Sequence, residues 1–357
     1  MKQTLPLLFL LVFFSCGNPD SNDNDTVVND APLEFFGNTQ GTTFSVIIND
    51  DIEITMEEIE ATLHNFDLAL STYIPESFIS QLNNGPAGTM KLDDPFDYFK
   101  RCYHRSVEFY KISNGSFDPA VFPLVEGWGF MKDVADNIPD STKVDSLRSL
   151  LGMTRHFKMV EKISEDSAVT YDIIKFTPRA KLDFNAVAQG LAVDVIAELI
   201  EAKGAKNYFV EIGGEIRVKG KNKDGVFWRI GIDKPIEDSN EDNRELQEII
   251  QLENRSVATS GSYRKFYIKN GEKYSHTLDP KTGYPVKHNL LSATVVADDC
   301  ATADAFATTF MVLGTEGTKK FLADHDSLNL EAYLIFTNDK DRLETYYTKG
   351  FSELITQ

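Results

Sequence analysis

Strand-like and helix-like patterns follow one another along this chain without the regular alternation that a parallel βαβ sheet requires. The strand-like stretches, in which apolar and polar residues alternate or apolar residues run together, are residues 35–49, 208–219, 226–232 and 290–297. The stretches with helical spacing are residues 52–70, 94–113, 185–203 and the run from Ala301 to near Gly314. We therefore expect an α+β fold with largely antiparallel sheets and packed helices.

Two further stretches complete this expectation. Residues 328–348 are typical of a closing hairpin that turns at Asn338 and Asp339. Residues 131–171 are polar and weakly patterned, and we interpret them as a connection that holds one helix, residues 141–151. With 42% hydrophobic residues, the chain of 357 residues can bury a sizeable core.

The N-terminus is typical of a targeting segment. Lys2 precedes an apolar run, residues 5–14, which is too short to span a bilayer and fits the core of a signal peptide. A small residue then precedes Cys16, as in a bacterial lipoprotein. We expect a lipoprotein signal peptide (1–15), a lipidated Cys16 with a disordered tether (16–32) and a folded domain (33–357). The alternative is a secreted protein with a stray cysteine near its cleavage site.

This interpretation places the protein as an exported bacterial lipoprotein on the periplasmic or extracytoplasmic side, held to the membrane by a lipid anchor only. A net charge of −19 argues against nucleic acid as a partner, because phosphate binding depends on Lys and Arg. On a chain this acidic, an anionic substrate would need a local source of positive charge or of hydrogen-bond donors, such as a metal ion or backbone N–H groups. Cys102 and Cys300 could form one disulfide, but the sequence does not show that they meet.

One carboxylate and one hydroxyl lie four residues apart on the alanine-rich helix near the C-terminus. Asp304 and Thr308 share a helix face and can present two oxygens to one point. A lone carboxylate with a neutral hydroxyl suits Mg²⁺, whose remaining ligands are usually waters and substrate phosphates. The alternative is that Thr308 bonds back to the carbonyl of Asp304 and that neither residue binds a ligand.

Other candidate residues lie in turns and at helix ends. His276 lies in a turn rich in Pro and Gly that could aim its imidazole as a general base, or it is an ordinary surface histidine. Asp183 could cap the following helix or accept a hydrogen bond from a ligand. Gly190 weakens that helix, which suggests that another group approaches it closely. Residues 257–263 resemble an anion-receiving turn.

Taken together, these segments resemble the ApbE family of flavin transferases. The matching runs are residues 40–44, 71–83, 114–125, 182–190, 212–214, 258–261, 276–285 and 303–305, spread over residues 35–314. The resemblance implies an ApbE-like (T-fold-like) α+β body that forms a single catalytic unit, with FAD in a cleft. Gln189 departs from the pattern, because many members carry Lys at this position.

The resemblance also implies roles for individual residues. Asp304, Thr308 and the backbone carbonyl of Ala186 would bind Mg²⁺, and His276 would be the catalytic histidine. The residues that would contact FAD are Gln40, Tyr73, Ser116, Phe117, Asp118, Asp183, Gln189, Leu278 and Ala307.

The activity that the resemblance implies is Mg²⁺-dependent transfer of FMN from FAD to a Thr or Ser hydroxyl of an acceptor protein, with release of AMP. The acceptor would be a subunit of a membrane redox complex. A Mg²⁺-dependent FAD pyrophosphatase that gives FMN and AMP is the first alternative, because water can replace the hydroxyl. A flavin-binding lipoprotein without catalytic activity is the second.

Overall fold

The structure is a computed structural model that describes residues 31–130, 138–164, 166–236, 245–262, 266–269 and 272–356. The predicted signal peptide, Cys16 and nearly all of the predicted tether lie outside these residues. Within the described ranges, no helix is both long and apolar enough to cross a lipid bilayer.

A sheet of eight antiparallel strands forms the centre of the fold. Its strands are β1 (Leu33–Thr39), β2 (Thr42–Ile48), β6 (Tyr208–Ile212), β7 (Glu215–Lys219), β10 (Ser256–Gly261), β13 (Leu290–Ala297), β14 (Glu331–Thr337) and β15 (Leu343–Tyr347). They lie side by side in the order β1-β2-β6-β7-β10-β13-β14-β15. The mixture of this sheet with packed helices confirms the predicted α+β class.

Three smaller antiparallel sheets surround it. One has three strands, β3 (Gly88–Lys91), β4 (Phe157–Ile163) and β5 (Val169–Lys175), in the order β3-β5-β4. The other two are hairpins formed by β8 (Trp228–Asp233) with β9 (Leu246–Leu252), and by β11 (Phe266–Lys269) with β12 (Glu272–Ser275).

Nine helices are assigned within the described residues. They are α1 (Met56–Leu70), α2 (Phe78–Asn84), α3 (Tyr98–Ile112), α4 (Phe122–Gly127), α5 (Ser141–Arg148), α6 (Met153–His156), α7 (Ala188–Ala202), α8 (Cys300–Asp324) and α9 (Lys349–Leu354). The helices α1, α3, α7 and α8 contribute to one large apolar core on one face of the central sheet, and the β8–β9 hairpin packs a smaller core on the other face.

Helices α7 and α8 cross at very short range, which is what Gly190 permits. A Cβ atom at Gly190 would lie 2.4 Å from the carbonyl oxygen of Cys300 and 2.8 Å from Cβ of Asp304. The predicted close approach at this glycine is therefore confirmed, and the approaching group is helix α8. Asp194, one turn further along α7, accepts hydrogen bonds from the N–H groups of Cys300 (3.0 Å) and Ala301 (2.9 Å), which fixes the start of α8.

The prediction that residues 131–171 form a connection with a single helix was wrong. In its described part the segment contains α5, α6, all of β4 and the start of β5. Strand β4 is mostly exposed beyond its first residue, and its outer half is rich in Lys and Glu. An exposed strand of this kind gives a weak alternation signal, which is why the sequence pattern did not reveal it.

Three boundary predictions also need correction. Residues 35–49 form the hairpin β1–β2 and not one strand, because Gln40 and Gly41 turn the chain at positive φ (51° and 75°). Helix α7 begins at Ala188, not at Asn185. The alanine-rich helix does break at Gly314, whose φ is 69°, but a second helical stretch then continues to Asp324.

The interpretation of residues 257–263 as an anion-receiving turn was also wrong for the part described. Residues 256–261 form β10, a strand inside the central sheet that pairs with β13 over its whole length. Cys102 and Cys300 are both buried and both free, so no disulfide links them.

Candidate active site

A cleft of about 1130 Å³ opens at the end of the central sheet where β6 turns into β7. Its walls come from segments that are far apart in the chain: the start of α7, the Gly213–Gly214 turn, β10, the loop after β12 and the first half of α8. Five of the residues predicted for the site line it, namely Gln189, His276, Leu278, Asp304 and Thr308. The fold therefore brings together predicted residues that are up to 119 positions apart in sequence.

Among the described residues, Asp304 is one of four acidic residues that line this cleft, with Glu211, Glu215 and Asp233, and is 4% exposed. Its Oδ2 accepts a hydrogen bond from the N–H of Gly190 (3.1 Å). Burial raises the pKa of the Asp304 carboxyl well above its usual range, and the hydrogen bond from Gly190 opposes this rise only in part. A carboxylate that is buried with so little compensation is stabilised by a cation at the same point.

Two further oxygens can accompany this carboxylate. Thr308 lies one turn after Asp304 on α8, and its Oγ1 is 3.0 Å from Oγ of Ser260 on β10. Ala186 lies four residues before Gly190, which is the spacing of a helical hydrogen bond. The N–H of Gly190 donates to Asp304, and α7 begins only at Ala188, so the Ala186 carbonyl lies outside the helix ladder. A carboxylate, a hydroxyl and a carbonyl form a donor set suited to a hard divalent cation.

In the described part of the chain, no group of three or more His, Cys, Asp or Glu residues is placed to hold a metal ion. A cation in the cleft would therefore depend on neutral oxygens and on the phosphates of its substrate as well as on Asp304. This composition disfavours zinc, which prefers His and Cys ligands.

His276 follows directly after β12 and lies half-buried in the wall of the cleft. The loop that carries it is held by backbone hydrogen bonds, from Val286 N–H to the carbonyl of Thr277 (3.0 Å) and from Gly283 N–H to the carbonyl of Asp279 (2.7 Å). The indole of Trp128 also donates to the carbonyl of Gly283 (2.9 Å). The loop is thus anchored on both sides of its turn, which fixes the direction of the backbone at His276.

A hydrogen bond joins the loop that contains Ser116, Phe117 and Asp118 to the His276 loop. The Nζ of Lys281 donates to Oγ of Ser116 (3.0 Å). Asp118 is buried and accepts three backbone hydrogen bonds, from Ala120 (3.0 Å), Gly152 (2.6 Å) and Met153 (3.0 Å). Burial nevertheless raises the pKa of Asp118 to about 6. In this structure Asp118 therefore ties its own loop to the start of α6.

Asp183 is buried close to Tyr73. Its Oδ1 accepts from the N–H of Asn185 (2.8 Å), and burial raises the pKa of Asp183 to about 6. Partial burial and the nearby Asp183 carboxylate raise the pKa of the Tyr73 phenol. The preceding residue, Leu182, is held by Asn83, whose side-chain amide exchanges two hydrogen bonds of 2.7 Å with the Leu182 backbone.

The remaining predicted flavin contacts lie around the cleft without lining it. Phe117 is buried against the edge of Phe109, and Ala307 is fully buried in α8. Gln40 lies at the tip of the β1–β2 hairpin, beside a shallower groove formed by its neighbours. Contact of these residues with FAD stays a prediction.

The residue roles assigned from sequence omitted Ser260 and Asp194. Ser260 contacts Thr308, and Asp194 fixes the start of α8 while pairing with Arg217 (2.8 Å). Ser260 lies in a motif that was quoted, but its interpretation as part of a turn concealed its contact with α8. Asp194 is a charged residue on an otherwise apolar helix face, and that signal could have identified it.

The sequence model of the ApbE family matches residues 40–334 of this chain. A relative from Haemophilus influenzae, named FAD:protein FMN transferase, is 35% identical over 315 residues, which cover 86% of this chain and 87% of the relative. The family model therefore spans nearly all of the described body, including every segment that lines the cleft.

Solved structures agree with these sequence matches. The flavin transferase ApbE from Vibrio cholerae superposes with a TM-score of 0.74 at 30% identity, over 90% of this chain and 99% of that one. The apo form of the flavinyl transferase ApbE from Pseudomonas stutzeri gives a TM-score of 0.75 at 31% identity, over 91% and 97% of the two chains.

Proposed function

The chain belongs to the ApbE family, and on that premise we propose that it transfers FMN from FAD to a Thr or Ser hydroxyl of an acceptor protein and releases AMP. The structural observation that supports this most directly is the convergence of Asp304, Thr308 and His276 on one cleft. A cleft of about 1130 Å³ is large enough for a dinucleotide and still open to a second reactant.

The oxygens of Asp304, Thr308 and Ala186 would hold Mg²⁺. A cation held there would supply positive charge that offsets the negative charge developing on the pyrophosphate of FAD. Ser260 would orient the Thr308 hydroxyl, because a cation on the Thr308 oxygen requires that hydroxyl to donate its proton, and Oγ of Ser260 lies 3.0 Å away as an acceptor. Gly190 holds the Asp304 carboxylate in place through its N–H.

His276 would take the proton of the acceptor hydroxyl as its oxygen attacks the FMN phosphorus. A new P–O bond to the acceptor forms, the P–O bond to the AMP phosphate breaks, and AMP leaves with the bonding electrons. This step needs no covalent nucleophile from the protein. If water enters in place of the acceptor, the products become free FMN and AMP.

The first test is product analysis with the purified protein, FAD, Mg²⁺ and a candidate acceptor, a Thr-bearing subunit of a membrane redox complex. FMN bound covalently to the acceptor together with AMP in equal amount supports transfer, whereas free FMN alone supports a pyrophosphatase. Tight FAD binding without AMP release supports a non-catalytic flavin-binding protein. Chelation of divalent metal is expected to abolish AMP release, and unchanged release would overturn the metal assignment.

His276→Ala separates chemistry from binding. We expect transfer to fall at least about 100-fold, the contribution typical of a general base, while FAD still binds. A His276→Ala protein that transfers FMN at the normal rate would remove His276 from the mechanism.

We also propose that Cys16 is lipidated and that its lipid holds the protein to the membrane on the extracytoplasmic side, close to acceptors in membrane redox complexes. The apolar run followed by a small residue and Cys16 supports this proposal. Fractionation of cells that express Cys16→Ser tests it: the variant is expected in the soluble fraction, and membrane association equal to that of the native chain would contradict it.

A further inference from the structure

The central sheet contains an opening beside the proposed reaction site. Strands β7 and β10 pair at two positions only among the described residues, Ser256 with Arg217 and Val257 with Ile216. Continuation of this register would place Gly214 opposite Thr259, but β7 begins only at Glu215. The outer half of β10 therefore pairs with β13 on one side and borders the cleft on the other.

The turn between β6 and β7 is held away from β10. Gly213 and Gly214 adopt positive φ (61° and 106°), and their N–H groups donate to the Thr43 carbonyl (3.1 Å) and to the Glu211 carboxylate (2.7 Å). Both partners lie on the β2–β6 side of the turn. The opening is thus stabilised by hydrogen bonds that fold the turn back towards β2.

The backbone groups that face this opening follow from the register. The carbonyl of Arg255 accepts from the N–H of Val218 on the β7 side (3.0 Å), and the N–H of Ser262 donates to the carbonyl of Leu291 on the β13 side (3.0 Å). Main-chain groups alternate in direction along a strand. The N–H and C=O groups of Thr259 and Gly261 therefore point into the opening, and the Thr259 side chain is exposed beside them.

We propose that the acceptor protein binds by adding an extended segment to this open edge of β10. The proposal rests on the transferase function proposed above, because that reaction needs a protein hydroxyl in the cleft. A row of unpaired backbone donors and acceptors is the surface that pairs with an incoming strand. In recognition of this kind, main-chain hydrogen bonds supply affinity, and pockets for alternate side chains of the added strand supply specificity.

The geometry also explains how the hydroxyl reaches the reaction site. Ser260 lies on the face of β10 that meets α8, with its Oγ 3.0 Å from Oγ1 of Thr308. In a paired strand, the residue opposite Ser260 has its side chain on the same face, at a distance of about 5 Å. An acceptor Thr or Ser in that register lies next to Thr308 and Asp304, in the same cleft as His276.

A proline at Thr259 tests the proposal, because it removes the N–H that faces the opening and leaves the ladder with β13 intact. Thr259→Val is the matched control, since it keeps the N–H and loses only the hydroxyl that contacts Thr294 (2.9 Å). The probe is the acceptor protein that the native chain modifies in the product analysis. We expect Thr259→Pro to raise the KM for this acceptor at least about tenfold with unchanged FAD affinity, and Thr259→Val to change either value less than about twofold.

Two results would overturn strand addition: an unchanged acceptor KM in Thr259→Pro, or a loss of FAD affinity as large as the loss for the acceptor. The second result would indicate that FAD, and not the acceptor, contacts the open edge of β10. If the native chain places no FMN on any acceptor, the transferase function itself fails, and this outcome is distinct from both.

A second measurement decides the question if Thr259→Pro does not fold. Amide hydrogen exchange of the native chain is followed with FAD, Mg²⁺ and an acceptor whose modified Thr is replaced by Val, so that the complex does not turn over. We expect exchange at the Thr259 and Gly261 amides to slow at least about tenfold when the acceptor is added. Unchanged exchange at both amides would contradict the proposal.

Discussion

Of the four aspartates that the structure describes as buried near the cleft, Asp118, Asp194 and Asp304 differ in how far hydrogen bonds and ion pairs compensate the burial of their charge. Asp194 pairs with Arg217 and accepts two backbone N–H groups, and Asp118 accepts three backbone N–H groups. For Asp304, the hydrogen bonds seen among the described residues come from Gly190 alone. Since a buried carboxylate needs compensation, the environment of Asp304 fits a bound cation better than those of Asp118 and Asp194 do. In the part of the chain that the structure describes, Asp183 likewise accepts from a single residue, Asn185.

Thr308→Val tests the hydroxyl of the proposed metal site. The variant keeps the shape of the side chain but removes one oxygen donor, so we expect the Mg²⁺ concentration for half-maximal AMP release to rise about tenfold or more. Direct titration with Mn²⁺, followed by its paramagnetic signal, should show the same weakening.

Thr309→Val is the matched control for this substitution. It removes a hydroxyl from the next position of α8, where the side chain donates to the Ala305 carbonyl (2.7 Å) within the same helix. We expect its Mg²⁺ requirement to stay within about twofold of that of the native chain. Equal effects of the two valines would show that the helix, not the Thr308 oxygen, is responsible.

Asp118→Asn tests the cost of burying an acid. Burial raises the pKa of Asp118 to about 6, so the folded state holds this proton at pH values where the unfolded state has lost it. The group therefore stabilises the fold most below about pH 4, and this contribution is lost as pH rises to about 6. The contribution of Asp118 to the free energy of unfolding therefore falls by about 2–3 kcal/mol over this pH range, at ~1.4 kcal/mol per pKa unit.

Chemical denaturation of the native chain and of Asp118→Asn, both without FAD, between pH 4 and pH 7 measures this effect. We expect the free energy of unfolding of the native chain to fall with pH relative to that of the variant. Parallel pH profiles for the two proteins would contradict the assignment.

At the scale of elements, the crossing of α7 and α8 determines where the site residues lie. Gly190 allows the contact, its N–H binds Asp304, and Asp194 fixes the start of α8 one turn away. The α7–α8 crossing therefore sets the position of the Asp304 carboxylate with respect to Ala186. A small change in the distance between these helices should affect the proposed metal site before it affects the rest of the fold.

Gly190→Ala tests this dependence. The added methyl would lie 2.4 Å from the Cys300 carbonyl oxygen, so the helices must separate. We expect a loss of about 1–3 kcal/mol in the free energy of unfolding, and a higher Mg²⁺ requirement for AMP release. Thermal denaturation and Mg²⁺ titration measure the two effects.

Gly317→Ala is the control, since it adds the same methyl to α8 where the nearest atom is Cβ of Leu313 at 3.0 Å. Better helix propensity should offset this mild crowding there, leaving stability within about 1 kcal/mol. Equal losses of stability in the two variants would show that the close α7–α8 crossing is not the cause of the effect.

The sequence predicted those elements whose pattern reports directly on burial. Helix α7 and strand β13 bury most of their residues, and their apolar patterns located them to within three residues at each end. Strand β4 was missed because most of its exposed residues are charged, and β10 was misread because Ser and Gly are typical of turns. Contacts between distant segments, such as Ser260 with Thr308, depend on packing that no local pattern encodes.

At the scale of the whole molecule, one cleft joins segments from the first hairpin to the last long helix. Thr43, Gln189, Gly213, Ser260 and Asp304 all line it, although they belong to five different elements or turns. The proposed metal oxygens, the histidine and the open strand edge by themselves span residues 186–308. This distribution explains why the family model spans residues 40–334 and not a compact motif.

Intact-protein mass spectrometry of an acceptor co-expressed with this chain tests the central claim most directly. We expect the acceptor to gain the mass of one FMN on a Thr or Ser with the native chain, and to gain none with Asp304→Asn, which removes the charge that a cation would bind. An unmodified acceptor in cells where the native chain nonetheless releases AMP from FAD would contradict transfer, and full modification by Asp304→Asn would contradict the metal-dependent site.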